Sequence, residues 1–222
     1  MEGKTGYIGL SLDFLHSAHT HLIEIASKNV DRLVLGVLSD KAILSRKTLP
    51  LLTMKQRQSM AKGLKGIDEV MIQEEWSYVN NIRKLRPDKF FHGDDWKISD
   101  PELREEVINA LNSYGGELIE IPYDKTIASS LSRVAKTNYM GSYARTSLLK
   151  RLIESKSFVR IIEAHNPMSA IIGETTKHVE EGKERRFDGF WSSSLTDSTS
   201  MGLPDIEVLD FSRRINSITA IF

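Results

Sequence analysis

Cysteine is absent from this 222-residue chain, which excludes disulfide frameworks, thiolate metal sites and cysteine nucleophiles. Net charge is absent as well. The 30 Lys and Arg residues balance 30 Asp and Glu, so nothing draws the chain at long range to nucleic acid or an anionic membrane, and any anion site must be local. Long hydrophobic runs are missing too. The apolar stretch near the N-terminus is broken by Asp13 and His16 too early for a signal peptide, and no later window is long enough to span a membrane. A cytoplasmic protein is the expectation. What the chain does have is 40% hydrophobic and 27% charged residues, enough apolar surface for a real core in one large domain or two small ones.

The hydrophobic pattern alternates between two periods. Tyr7 to Leu10 is short and apolar. Leu15, His19, Leu22, Ile23 and Ala26 recur at helical spacing, and Arg32 to Ser39 is again apolar and β-branched. Thr53 to Gly63 is predicted as a helix with Thr53 as N-cap, Val70 to Gln73 as a strand, Val79 to Leu85 as a helix stopped before Pro87, and Lys89 to His92 as a strand. Asp100 and Pro101 start a helix through Leu111 that ends near Gly115 and Gly116, and Leu118 to Ile121 follows as a strand. Strands alternating with helices imply an α/β fold, a Rossmann-like parallel sheet with helices on both faces. Such sheets bind ligands beyond the carboxyl ends of their strands.

Polar residues from Lys136 to Tyr143, with Gly141 among them, mark a linker. The expected division is residues 1–137, a linker at 138–144, and a second segment at 145–222. In that segment Thr146 to Glu154 is predicted as a helix, Val159 to Glu163 as a strand, Met168 to Glu180 as a helix, Gly189 to Trp191 as a strand, and Asp205 to Ile221 as a helix introduced by Pro204. Two β-α units cannot close a barrel, so the segment packs on the first domain, pairs with another chain, or begins something longer.

The strongest chemical signal runs from Leu10 to His19, where a strand ends, the chain turns, and His16 and His19 open a helix one turn apart. Free N–H groups and the positive end of the helix dipole lie beside them, a combination that suits a phosphate chain. A histidine pair at a helix start is also an ordinary surface feature, and no third ligand stands at zinc spacing.

In context this segment resembles the HxGH signature of the nucleotidyltransferase superfamily, in particular the cytidylyltransferases related to glycerol-phosphate cytidylyltransferase. Further stretches agree in the same order. Lys47 and then Lys55-Gln56-Arg57 resemble the basic loop and the E-x-R helix, His92-Gly93-Asp94-Asp95-Trp96 matches the GDDW motif, and Lys125-Thr126-Ile127-Ala128-Ser129-Ser130 is similar to the GISST helix start. Taken singly, each has a plainer reading: a turn for Gly93-Asp94-Asp95, a rim aromatic for Trp96, a solvated charge for Lys47, helix caps for Ser129 and Ser130. The chain departs from the pattern at Ala18, where glycine is usual, and at Thr126-Ile127-Ala128, where Gly-Ile-Ser is usual. Glycine there lets backbone approach phosphate closely, so a working but altered site is expected.

From Arg145 onward the chain resembles another family. Ile162-Glu163-Ala164-His165-Asn166, Phe187 to Ser198, and Gly202-Leu203-Pro204-Asp205 are similar to the opening of phosphoenolpyruvate mutase, a (β/α)-barrel of the isocitrate lyase superfamily. The resemblance implies a phosphoryl site at Trp191, Ser193 and Leu195, with Asp205 near a metal. The family's aspartate-rich metal segment and lid loop do not follow in this sequence, so mutase catalysis by this segment alone is not expected.

Bifunctional proteins that resemble the whole arrangement join a cytidylyltransferase to a mutase in phosphonate biosynthesis. The resemblance therefore implies CMP transfer from CTP to a small phosphonate such as 2-aminoethylphosphonate or 2-hydroxyethylphosphonate, with Mg²⁺ as cofactor. His16 and His19 would hold the α and β phosphates and Lys47 the transferring phosphoryl. Backbone amides of Ser11 and Leu12 would sit against the triphosphate. Asp94, Asp95 and Trp96 would face ribose and base, and Arg57, Ser129 and Ser130 would complete the anion cradle. A homo-oligomer is expected, with neither nucleic acid nor membrane as partner. The rivals are an alcohol-phosphate cytidylyltransferase, a mutase partner module that needs no CTP, and a nucleotide-binding protein without turnover.

Overall fold

The computed structural model describes residues 3–122, 142–180, 183–206 and 210–219. The chain divides into two compact units, residues 1–156 and 157–222. The first runs β1 (Thr5–Leu10), α1 (Ser17–Lys28), β2 (Arg32–Leu38), α2 (Asp40–Leu44), α3 (Met54–Lys62), β3 (Glu69–Gln73), α4 (Val79–Leu85), β4 (Lys89–Gly93), α5 (Trp96–Ser99), α6 (Pro101–Asn112), β5 (Glu117–Ile121) and α7 (Ser142–Ser155). Its strands form one parallel five-stranded sheet in the order β3-β2-β1-β4-β5. This is the expected α/β architecture.

Period-two alternation sends neighbouring side chains of each strand to opposite faces. Tyr7, Val34 and Phe90 join Ile82 of α4 and Leu103 and Val107 of α6 in one core. Ile8, Leu33, Leu35 and Phe91 join Leu22, Ile23 and Ala26 of α1 and Ala61 of α3 in the other. Because both faces are covered, the central strands read as unbroken apolar runs. Full burial of each such aliphatic or phenyl side chain contributes about 1.5–3 kcal/mol.

Local signals set the element ends. The Thr53 hydroxyl accepts from Gln56 N at 3.3 Å while Gln56 Oε1 accepts from Thr53 N at 2.9 Å, a reciprocal cap that starts α3. Arg86, at φ 50°, closes α4 in the left-handed region just before Pro87. The chain builds outward from β1 to β3, then returns to place β4 beside β1, so strand order reverses between β1 and β4. Parallel sheets of this kind open a crevice at that point.

The division after Lys156 falls later than the linker expected at 138–144, because α7 packs against α2 and Arg151 reaches Asp40. In the second unit β6 (Ile161–Glu163) pairs in parallel with β9 (Gly189–Trp191), and between them come α8 (Pro167–Thr175) and the antiparallel strands β7 (His178–Glu180) and β8 (Lys183–Arg185). Helices α9 (Ser194–Ser200) and α10 (Phe211–Thr219) follow. The helix expected over 168–180 stops at Thr175, since the β-branched Thr176 is extended and the alternating residues after it pair as a strand. The helix expected from Asp205 begins at Phe211, and α9 was not expected, although the Ser193 hydroxyl caps it by accepting from Thr196 N at 3.4 Å. A barrel is not shown by these two parallel strands. Among the described residues, no helix is long and apolar enough to cross a membrane.

Candidate active site

A cavity of about 460 Å³ opens beyond the carboxyl ends of β1, β2, β4 and β5, at the place where strand order reverses. Gly9, Leu10 and Ser11 line it from β1 and the turn that follows, Ser17, Ala18, His19 and Leu22 from α1, and Leu38 from β2. His21 of α1, Ile121 and Pro122 at the end of β5, and Lys47, Trp76, Tyr78, His92, Gly93 and Asp95 line the rest.

The turn from β1 into α1 is shaped by Leu12, a non-glycine residue at φ 55°. Such a conformation costs about 1–3 kcal/mol, and the fully buried Leu12 side chain, packed into the α1 core, offsets it. His16 is then the N-cap of α1 in extended conformation, its carbonyl accepting from His19 N at 2.9 Å, while its side chain makes no capping bond. The imidazoles of His16 and His19 stack with centroids 3.8 Å apart and planes 25° from parallel. Both Nδ1 atoms are buried and lack a hydrogen-bond partner.

Burial lowers the pKa of His16. It pushes that of His19 down to about 4, with help from the neighbouring charges of His16 and Lys47 and against a backbone contact to Phe14. Near pH 7 both rings are therefore neutral, each with one N–H donor and one acceptor nitrogen. Among the described lining residues the formal positive charge comes from Lys47, whose Nζ lies 5.2 Å from the centroid of the Trp76 ring. Unpaired imidazole nitrogens, a lysine and the positive end of a twelve-residue helix together suit a polyphosphate.

Several expected residues lie elsewhere. Trp96 does not line the cavity: it is buried, stacks on His92 with centroids 3.9 Å apart, and donates its indole N–H to Glu120 at 2.8 Å. Glu120 also accepts from Arg104 at 2.8 and 3.1 Å and pairs with Lys97 at 3.2 Å, which lowers its carboxyl pKa to about 2. Arg57 is likewise no part of the lining. Fully buried, it donates to the carbonyls of Ser11 at 2.7 Å and Leu38 at 2.5 Å and to Asp40 at 2.6 Å. Leu12 supplies backbone geometry and core packing, and Asp94 N is bonded to the Ile121 carbonyl at 2.9 Å. Ser129 and Ser130 lie outside the described residues. In the second unit Trp191 ends β9, Ser193 caps α9 and Leu195 stands in its first turn, while Asp205 is exposed in a turn after α9.

Trp76, Tyr78 and His92 were not among the expected site residues. His92 donates from Nδ1 to the Gly93 carbonyl at 2.7 Å, so its Nε2 accepts from the Tyr78 hydroxyl at 3.1 Å. The signal that finds them is topological. Trp76 and Tyr78 follow the carboxyl end of β3, and His92 lies near that of β4.

Comparison with known proteins agrees with this geometry. The profile of the cytidylyltransferase-like family matches residues 7–133. The chain belongs to the cytidylyltransferase-like family. It is 34% identical over 128 residues to an FAD synthase of Thermococcus sibiricus, covering 57% of this chain and 82% of that one. It is 29% identical over 123 residues to the bifunctional protein HldE of Hyphomonas neptunium, covering 54% of this chain but 24% of that one. An ethanolamine-phosphate cytidylyltransferase of Arabidopsis thaliana is 30% identical over 94 residues, covering 40% of this chain and 22% of the plant protein. A solved structure of a lipopolysaccharide core biosynthesis protein from Thermoplasma volcanium aligns with TM-score 0.47 and 23% identity over 55% of this chain and 99% of that one.

Among the described residues no group of three or more His, Asp or Glu is placed to hold a metal, and the described cavity lining contains one carboxylate, Asp95. Mg²⁺ takes oxygen ligands and keeps water, and usually arrives with substrate phosphates and one or two carboxylates. The donor set fits Mg²⁺ in that form, carried by a nucleotide.

Proposed function

We propose that this chain transfers a cytidylyl group from CTP to a small phosphonate of the 2-aminoethyl or 2-hydroxyethyl type, releasing pyrophosphate. Nucleotidyl transfer is carried by one observation: the buried, unpartnered Nδ1 atoms of the stacked His16 and His19 at the start of α1, where His19 lines the cavity together with Lys47 and His16 stands beside it without lining it. Cytidine rests on the family motifs, and the phosphonate on the likeness of residues 145–222 to phosphoenolpyruvate mutase.

An acceptor oxygen attacks the α-phosphorus, the bond to the bridging oxygen breaks, and pyrophosphate departs with that electron pair. Near neutral pH the acceptor oxygen is already ionised, so no general base is needed and catalysis reduces to placement and charge neutralisation. His16 and His19 donate N–H bonds to α and β phosphate oxygens, Lys47 follows the transferring phosphoryl, and the Ser11 and Leu12 amides lie along the triphosphate. Asp95, which lines the cavity, faces the ribose. Mg²⁺ would be held by the nucleotide phosphates with Asp95 beside it, and would supply charge neutralisation at the leaving pyrophosphate.

The test is pyrophosphate release, with phosphorus NMR of the product, from CTP or ATP in the presence of Mg²⁺ and 2-aminoethylphosphonate, 2-hydroxyethylphosphonate or glycerol phosphate. The expected result is the highest kcat/KM with CTP and a phosphonate. Glycerol phosphate as the best acceptor would replace the phosphonate by an alcohol phosphate, and no release from any pair would refute transfer.

A further inference from the structure

We infer that Arg151, which lies beyond the family match of residues 7–133, is a positioning residue for the transfer site and acts by locking the loop that carries Lys47. The inference rests on the transfer reading above for its catalytic consequence.

Arg151 stands on α7, and its side chain is 9% exposed. Its Nε and Nη2 donate to one oxygen of Asp40 at 3.0 and 2.9 Å, Nη1 donates to the Leu51 carbonyl at 3.3 Å, and Nη2 also reaches the Leu52 carbonyl at 3.1 Å. The other Asp40 oxygen accepts from Arg57 at 2.6 Å. Leu52 N donates to Asp13 at 3.0 Å. Two guanidinium groups thus face two carboxylates, and the cluster is close to neutral despite its burial, as a buried ionic group must be.

The geometry brackets Lys47. Asp40 opens α2, whose Ile43 carbonyl accepts from Lys47 N at 2.7 Å, and Leu51 and Leu52 close the loop just before the Thr53 cap of α3. Arg151 ties the start of α2, the helix that leads into that loop, to the loop's far end. Through Asp40 and Arg57 the same cluster reaches the Ser11 carbonyl in the cavity wall. A lysine is a point charge on a flexible stem, so its aim depends on how firmly its backbone is held, and misplacement by about 1 Å costs up to about 100-fold in rate. A planar fork with donors at three nitrogens can hold a carboxylate and two carbonyls together; no other side chain has that geometry.

The test compares full-length parent, Arg151→Met and Arg151→Lys. Hydrogen–deuterium exchange, thermal unfolding, and kcat and KM for CTP are measured on each. Arg151→Met is expected to exchange faster in peptides covering residues 45–53 while β1, β2 and β4 stay protected, and to lose about 10–100-fold in kcat with KM for CTP changed far less. Arg151→Lys, which keeps one charged contact, recovers part of both. Unchanged exchange and kcat in Arg151→Met would overturn the inference, as would faster exchange spread evenly over the chain, which marks general destabilisation. Exchange needs no nucleotide. A parent that never releases pyrophosphate, together with the local rise in exchange, would refute transfer while supporting the anchor.

Discussion

The rings of His16 and His19 stack at 3.8 Å, a separation at which two imidazolium charges would repel strongly in a partly buried setting. Neutral rings resolve the conflict. The pair then contributes directed N–H donors to an anion, and the net charge that draws the anion in comes from Lys47 and the helix start.

Replacing either histidine tests this division of labour. His16→Ala and His19→Ala are each expected to lower kcat/KM by about 100-fold, roughly 2.7 kcal/mol of transition-state stabilisation, with CTP affinity falling less. Steady-state kinetics beside calorimetric CTP binding would check it. Parent rates in both variants would reduce the stacked pair to a structural feature.

The pH dependence carries a definite sign. His19 has a folded pKa of about 4 against an ordinary 6.5, so the unfolded chain binds the extra proton first. The contribution of the neutral ring to stability is fully present above pH 6.5 and is lost as pH falls toward 4. Nitrogen-15 NMR of the imidazole should place its titration well below pH 6, and CTP should raise it, because a bound polyphosphate favours the charged ring. The unfolding midpoint of His19→Gln is expected to vary less than the parent's between pH 6.5 and 4. A midpoint titration near 6.5 in the free protein would show that the ring is solvated.

Much of this fold was legible because its cores follow simple periods. Tyr7 to Leu10, Arg32 to Ser39 and Lys89 to His92 are apolar on both faces, as central parallel strands are, and Thr53 with Gln56 announces α3 by chemistry alone. Misreadings arose where a motif lists neighbours without saying which way they point. Trp96 stands next to Asp95 in sequence, yet Asp95 lines the cavity while Trp96 turns back onto His92 and Glu120. Arg57 looks like an anion ligand until the folded chain supplies carbonyl acceptors from Ser11 and Leu38, distant in sequence. Tyr78 is marked in the sequence by no motif, only by following the carboxyl end of β3, and its exact place depends on how β1 leaves room for it.

That room is Gly9. A Cβ built there would stand 2.4 Å from Tyr78 Cε1 and 2.9 Å from Gln73 Oε1, and neither neighbour can yield easily. Tyr78 is bonded to His92, and Gln73 accepts from the buried Tyr7 hydroxyl at 2.7 Å and donates to the carbonyls of Glu75 and Trp76. Gly9→Ala is therefore expected to cost about 1–3 kcal/mol in urea unfolding and to weaken CTP binding by moving the cavity wall. A second change, Tyr78→Leu, should return part of the lost stability, a non-additivity that two independent sites would not show.

Arg57 offers the sharpest contrast between a ligand for anions and a strut within the fold. Its guanidinium spans the Ser11 and Leu38 carbonyls and Asp40 and is fully buried, so what matters is the fork and not the charge alone. Lysine at this position keeps the charge but cannot reach the same acceptors, leaving buried carbonyls unpaired at about 1–3 kcal/mol apiece. Arg57→Lys is expected to lower the unfolding free energy by about 2–4 kcal/mol, while CTP affinity, measured well below the melting temperature, changes little. An anion ligand would behave the opposite way, since a lysine charge in the cradle preserves stability and shifts nucleotide affinity with ionic strength. Calorimetry of the variant at two salt concentrations separates the cases: unchanged stability with salt-dependent loss of CTP binding would return Arg57 to the anion cradle.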